Sequence, residues 1–162
     1  MKPTLPGAVE DISSLTINDN NSCACVVSPS IGVVVATPSM TPSQDIWTSN
    51  IGKHAGVSLV RQLGFSNLFA FVGDGTTLST RTLKVFRAAS RRAPAKVVCE
   101  LQFREAIVDV QWTVHHLVVV LAQSVHIYLT KTMKHCQCIA TRKQPGPLNL
   151  HRTVVRLCAF PK

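Results

Sequence analysis

The feature that most constrains this sequence is a long succession of short β-prone runs with no helical period between them. Val, Ile, Thr and aromatic residues crowd positions 23–27, 32–36, 57–63, 67–72, 82–87, 96–103, 106–112, 117–122, 125–130, 135–140 and 154–160, and the apolar pair Ile46-Trp47 lies among them. These residue types suit the pleated, half-buried surface of a strand. No stretch sustains a 3.6-residue apolar spacing over three turns. The runs recur roughly every 8 to 12 residues, the rhythm of an all-β sandwich, barrel or propeller. Ser28-Pro29-Ser30 is a turn signal, and Gly73-Asp74-Gly75 predicts a tight hairpin because Asp-Gly supplies positive φ angles.

A weak internal repeat narrows the choice. Residues 57–87 and 106–130 each read strand, turn, strand, with an apolar centre and a polar exit. Propeller blades repeat at about 40 to 50 residues as four antiparallel strands. A chain of 162 residues then supplies about three and a half blades at most, and propellers typically close with four to eight. The expectation is a partial propeller of about three four-stranded antiparallel blades, its ring not closed by this chain alone. Residues 1–21, polar and carrying Pro3 and Pro6, are expected to be a flexible N-terminal segment, and residues 22–162 to form the blades.

Charge bears on partners. Seventeen Lys and Arg oppose eight Asp and Glu, a formal net charge of +9, which favours anionic partners without choosing among them. Arg81, Lys84, Arg87, Arg91, Arg92 and Lys96 fall close together with no acid before Glu100. Arginine's planar fork suits phosphate, so Arg87, Arg91, Arg92 and Lys96 are candidate contacts for an anionic lipid or phosphate. The alternative is that these charges keep strand edges soluble. No apolar run approaches the roughly 18 to 20 residues of a membrane helix, and no apolar h-region opens the chain. A cytoplasmic protein with reduced thiols and only peripheral membrane contact is expected.

Other chemistries have little support in the residues. Cys23-Ala24-Cys25 and Cys136-Gln137-Cys138 are Cys-x-Cys pairs within or beside apolar runs, whereas zinc sites usually use Cys-x-x-Cys in a turn. Buried cysteine as a small hydrophobe is the preferred reading, and no metal or cofactor is expected. His115-His116 and His126 have no nucleophile and orienting acid in a recognisable context, so no catalytic residue is assigned and no enzyme is expected. Phe69, Phe71 and Phe103 read as core rather than as a base-stacking face. Nucleic acid is therefore not an expected partner, and a basic nucleic-acid-binding β-domain stays as a lesser alternative.

Two stretches together carry a family pattern. The first runs Ser66-Asn67-Leu68-Phe69-Ala70-Phe71-Val72-Gly73 and continues through Leu78-Ser79-Thr80-Arg81-Thr82-Leu83. The second holds Val98-Cys99-Glu100-Leu101-Gln102-Phe103, Ala106-Ile107-Val108-Asp109-Val110, His116-Leu117-Val118-Val119-Val120-Leu121 and Val125-His126-Ile127-Tyr128. In order and spacing, over about residues 57–140, they resemble the N-terminal blades of the PROPPIN (WIPI-type) family of phosphoinositide-binding WD-repeat propellers.

The resemblance implies an autophagy-related, membrane-recruited scaffold. It places a partner-binding loop at Ser79, Thr80 and Arg81, contacting a lipid-transfer protein of autophagy, and implies peripheral association with autophagic or endosomal membranes. The chain departs from the family where Thr80-Arg81-Thr82 stands for Pro-Arg-Arg and where Leu129 replaces an aspartate. The family's lipid motif, Phe/Leu-Arg-Arg-Gly, belongs to later blades. Arg91-Arg92 is followed by Ala93 and is not that motif. Binding of phosphatidylinositol 3-phosphate is accordingly expected only when later blades are supplied. The alternative is a truncated propeller fragment that binds no lipid.

Overall fold

A computed structural model describes residues 12, 14–18, 24–28, 32–36, 46–49, 56–64, 66–88 and 95–141. Twelve strands are present among them: β1 (Ser14–Ile17), β2 (Ala24–Ser28), β3 (Gly32–Ala36), β4 (Ile46–Ser49), β5 (Val57–Gln62), β6 (Leu68–Gly73), β7 (Thr82–Arg87), β8 (Lys96–Gln102), β9 (Ile107–Trp112), β10 (His116–Leu121), β11 (Ser124–Leu129) and β12 (His135–Ala140). They form three four-stranded sheets in the orders β1-β2-β3-β4, β5-β6-β7-β8 and β9-β10-β11-β12, every neighbouring pair antiparallel. These are three propeller blades, as the strand rhythm predicts, in an unclosed array. The expected strand at 154–160 lies outside the described residues.

The repeat is stronger in burial than in sequence. Both β6 and β10 begin with one half-buried residue followed by five buried ones, and β7 and β11 also share one pattern position for position. A strand buried on both faces needs cover from both sides: β6 receives it from the first and third blades, while β10 meets the second blade through Leu117, Val119 and Leu121, and its Val118 and Val120 cluster with Val125, Ile127 and Ile139 of the same sheet. The outermost strands β8 and β12 are largely exposed. β5 packs against β1 and β9, so the first strand of each blade lies innermost.

The core lies between sheets. Cys25 and Val27 of the first blade meet Val57, Val60, Phe69, Phe71 and Phe86 of the second. Ala70, Val72, Leu83 and Val85, on the second blade's other face, meet Val110, Trp112, Leu117 and Val119 of the third. Phe86 stacks on Phe69 and meets Phe71 edge-on, each at 5.3 Å between ring centres. Polar links stitch the inner strands across blades. Thr16 Oγ1 donates to the Val60 carbonyl at 2.8 Å. Arg61 donates from Nε to the Val110 carbonyl at 2.8 Å and from Nη2 to Asp109 Oδ1 at 3.0 Å.

Two expectations need amendment. The segment 1–21 contains β1; Thr16 of this strand and Asn18 just after it turn inward while Leu15 and Ile17 are exposed. Its polar residues face the neighbouring blade, which inverts the pattern by which a core strand is usually recognised. The Gly73-Asp74-Gly75 cluster does not close a tight hairpin. Of the two central residues only Gly75 takes a positive φ, at 94°, and a longer loop follows before β7. With Phe86 shared among three rings at the first interface, Phe86→Ala is expected to destabilise the chain by about 3–5 kcal/mol in urea unfolding, whereas a loss under about 1 kcal/mol would deny that interface its weight.

Candidate partner-binding site

Eight residues separate Gly73 of β6 from Thr82 of β7, while two separate Leu121 of β10 from Ser124 of β11. The second blade thus carries an extended loop where the third has a minimal turn, and extended loops on a rigid scaffold are where binding residues concentrate. Ser79, Thr80 and Arg81 lie in its second half.

The loop is held at both ends by main-chain bonds. Asp74 N–H donates to the Gly56 carbonyl and Gly75 N–H to the Leu78 carbonyl, both at 2.9 Å. A side chain at Gly73 would strike the Leu78 main chain, so glycine is required there by close approach. The Asp74 carboxylate accepts from Thr76 N–H at 2.8 Å and from Thr76 Oγ1 at 2.6 Å. Those two bonds, the hydroxyl's first, hold its carboxyl below the usual aspartate range.

The far end is fixed to two neighbours. Phe103 N–H donates to the Arg81 carbonyl and Ile107 N–H to the Thr80 carbonyl, both at 2.9 Å. Arg81 N–H is turned back onto Ser79 Oγ at 3.1 Å. The backbone of the expected partner loop is therefore spent on internal bonds, while Ser79 and Arg81 remain exposed and Thr80 is half-buried. Below the loop lies a hollow of about 220 Å³ lined by Phe71, Leu78, Ser79, Thr82 and the Lys84–Glu100 pair.

The basic cluster seen in the sequence does not form one patch. Arg81 stands at the start of β7 and Arg87 at its end, about 20 Å apart at strand rise. Lys84, between them, is paired with Glu100 at 3.5 Å. Arg87 and Lys96 are brought together as cross-strand partners, both exposed, at the rim opposite the loop. Arg91 and Arg92 lie outside the described residues. Sequence reasoning missed Lys131 and Lys134, exposed in the β11–β12 connection on that same rim. Among the described residues this rim bears no carboxylate: Asp74 and Glu105 belong to the loop rim, Glu100 and Asp109 to strands.

The two cysteine pairs do not converge. Cys25 is buried at the first interface, whereas Cys136 and Cys138 are exposed on the outer strand of the third blade. Cys23 lies outside the described residues.

No family model matches the sequence. Autophagy-related protein 18 of Komagataella pastoris is 29% identical over 141 residues, 86% of this chain and 24% of that protein. Its counterpart in Mycosarcoma maydis is 31% identical over 137 residues, 81% of this chain and 28% of that protein. The chain thus spans about a quarter of the relatives it matches. Among solved structures, Hsv2 of Kluyveromyces marxianus superposes with a TM-score of 0.63 at 14% identity, over 80% of this chain and 39% of that one. A complex of KlAtg21 with the coiled-coil of AgAtg16 gives 0.62 at 24% identity, with the same coverage. The resemblance found in residues 57–140 therefore holds in sequence relatives and in fold, on part of the ring.

In an NMR pH titration the Asp74 carboxyl should have its midpoint below the ordinary aspartate value, moving upward in Thr76→Val; an unmoved midpoint would show that the hydroxyl does not hold the turn.

Proposed function

The chain carries consecutive blades of the PROPPIN type, and from that premise we propose that it is the partner-facing part of a membrane-recruited scaffold of autophagy. The observation that carries this reading is the extended β6–β7 loop. Its main chain is tied to β5, to the end of β8 and to the start of β9, and it still presents Ser79 and Arg81 to solvent. A loop already ordered loses little conformational entropy when a partner binds. Thr80 replaces the family's proline, and the bond from Ile107 to its carbonyl supplies rigidity that the proline ring would otherwise give.

The partner proposed at this loop is the lipid-transfer protein of autophagy that the family resemblance implies. That KlAtg21 was solved with a coiled-coil of AgAtg16 supports protein recognition by blades of this architecture. The opposite rim, with Arg87, Lys96, Lys131 and Lys134 exposed, suits an anionic membrane surface, at about 1 kcal/mol per basic residue and falling with salt. Arg91 and Arg92 are proposed as further contacts for an anionic lipid or phosphate. Localisation is then cytoplasmic, with peripheral attachment to autophagic or endosomal membranes. Selectivity for phosphatidylinositol 3-phosphate belongs to blades bearing Phe/Leu-Arg-Arg-Gly, a run this sequence does not contain.

Two experiments test the reading. Arg81→Glu is expected to weaken capture of the lipid-transfer partner at least tenfold while Arg87→Glu leaves it within twofold; equal losses would assign binding to general charge. In liposome flotation the chain should bind vesicles of phosphatidylinositol 3-phosphate and of phosphatidylserine equally at matched charge. Selective flotation with the former would overturn the assignment of lipid selectivity to other blades.

A further inference from the structure

On the third blade, His126 stands between two partners. Its Nδ1 lies 3.3 Å from His135 Nε2, and its Nε2 lies 3.8 Å from Cys138 Sγ. The strand register sets this up. His126 of β11 is the direct cross-strand partner of Cys138 on β12, and a bulge between Ile127 and Tyr128 brings His135 opposite Tyr128. Phe103 of the second blade closes one side, its ring edge-on to His126 at 5.4 Å, and the Tyr128 ring packs edge-on against His135 at 5.0 Å.

We propose that Cys138 is a covalent modification site for soft electrophiles, with His126 as its base and His135 as the group that orients that base. The arrangement of thiol, imidazole and orienting group is the one that activates a nucleophile. One set of tautomers suits a base: His126 donates Nδ1–H to His135 Nε2 and leaves the Nε2 lone pair for the thiol proton. Ser124 Oγ lies 3.3 Å from the same nitrogen. It competes as a donor while the ring is neutral and accepts a hydrogen bond from Nε2–H once the ring is charged. Burial first, then the charge of His135, hold His126 below the usual histidine range, with Glu105 opposing. The ring is therefore neutral near pH 7 and available as a base.

The electrophile class is an α,β-unsaturated carbonyl. The Cys138 thiol gives its proton to His126 Nε2, and the sulfur lone pair forms a C–S bond at the β-carbon. The C=C π pair shifts toward the carbonyl oxygen, and the proton returns from Nε2 to the α-carbon. Atoms and electrons balance without an oxidant. The other described cysteines lack this setting. Cys136 is also exposed but meets the Lys134 carbonyl at 3.6 Å, Cys25 is buried, and burial first and Glu100 second push the Cys99 thiol up, away from the reactive thiolate.

Cys136 sits on the same strand and is the internal control. With limiting N-ethylmaleimide at pH 7 and peptide mass spectrometry, Cys138 is expected to label about tenfold faster than Cys136. His126→Gln should bring the two rates together, and His135→Gln should cut the ratio several-fold, with the Cys136 rate unchanged in both to show that β12 is intact. Equal labelling of the two cysteines in the unmodified sequence, or a ratio that survives His126→Gln, would overturn the proposal. If Cys136 itself accelerates in the variants, the ratio in the unmodified chain and its fall on acidification, as His126 takes up a proton, decide the matter.

Discussion

The second blade is covered on both faces by its neighbours, and much else in this molecule follows from that. The central strands β6 and β10 are apolar on both faces; β6 leaves water between the first and third blades, and β10 meets the second blade on one face. The two interfaces bury Phe69, Phe86 and Val60 on one side of the second blade and Leu83, Val85, Leu117 and Trp112 on the other. Arg61 then fixes the rotation of one blade on the next, because its guanidinium binds a carbonyl and a carboxylate of β9 together. An Arg fork satisfied twice is directional in a way that apolar contact is not.

Stacking blades this way separates two rims with different chemistry. On one rim the β6–β7 loop reaches the ends of β8 and β9, so the same bonds that join the blades also stiffen the loop. The other rim gathers exposed cations from two blades, with no carboxylate among the described residues. A rigid polar loop and a basic margin thus lie on opposite rims of the same blades.

Much of the fold is legible in the sequence because blade strands are short, β-branched and evenly spaced; 32–36, 82–87 and 135–140 match β3, β7 and β12 residue for residue. β1 escaped notice because its apolar side chains, Leu15 and Ile17, point away from the neighbouring blade while Thr16 and Asn18 are buried. The basic cluster misled for a related reason. Closeness along a strand is not closeness in space, and six residues of β7 carry Arg81 and Arg87 to opposite rims. The His126, His135 and Cys138 grouping was invisible because it depends on a bulge in the β11–β12 register, which no residue pattern announces. Residues 79–81 were singled out by resemblance alone, and the stiffness of their loop comes from carbonyls, which every residue has.

Native-state hydrogen exchange of the isolated chain tests the central claim, that three blades are stabilised by burial between sheets. Amides of β6, β7, β10 and β11 should exchange slowest, and as cooperative groups, with β8 and β12 opening well before them. Protection concentrated in β8 and β12, or uniformly fast exchange through β6 and β10, would contradict it.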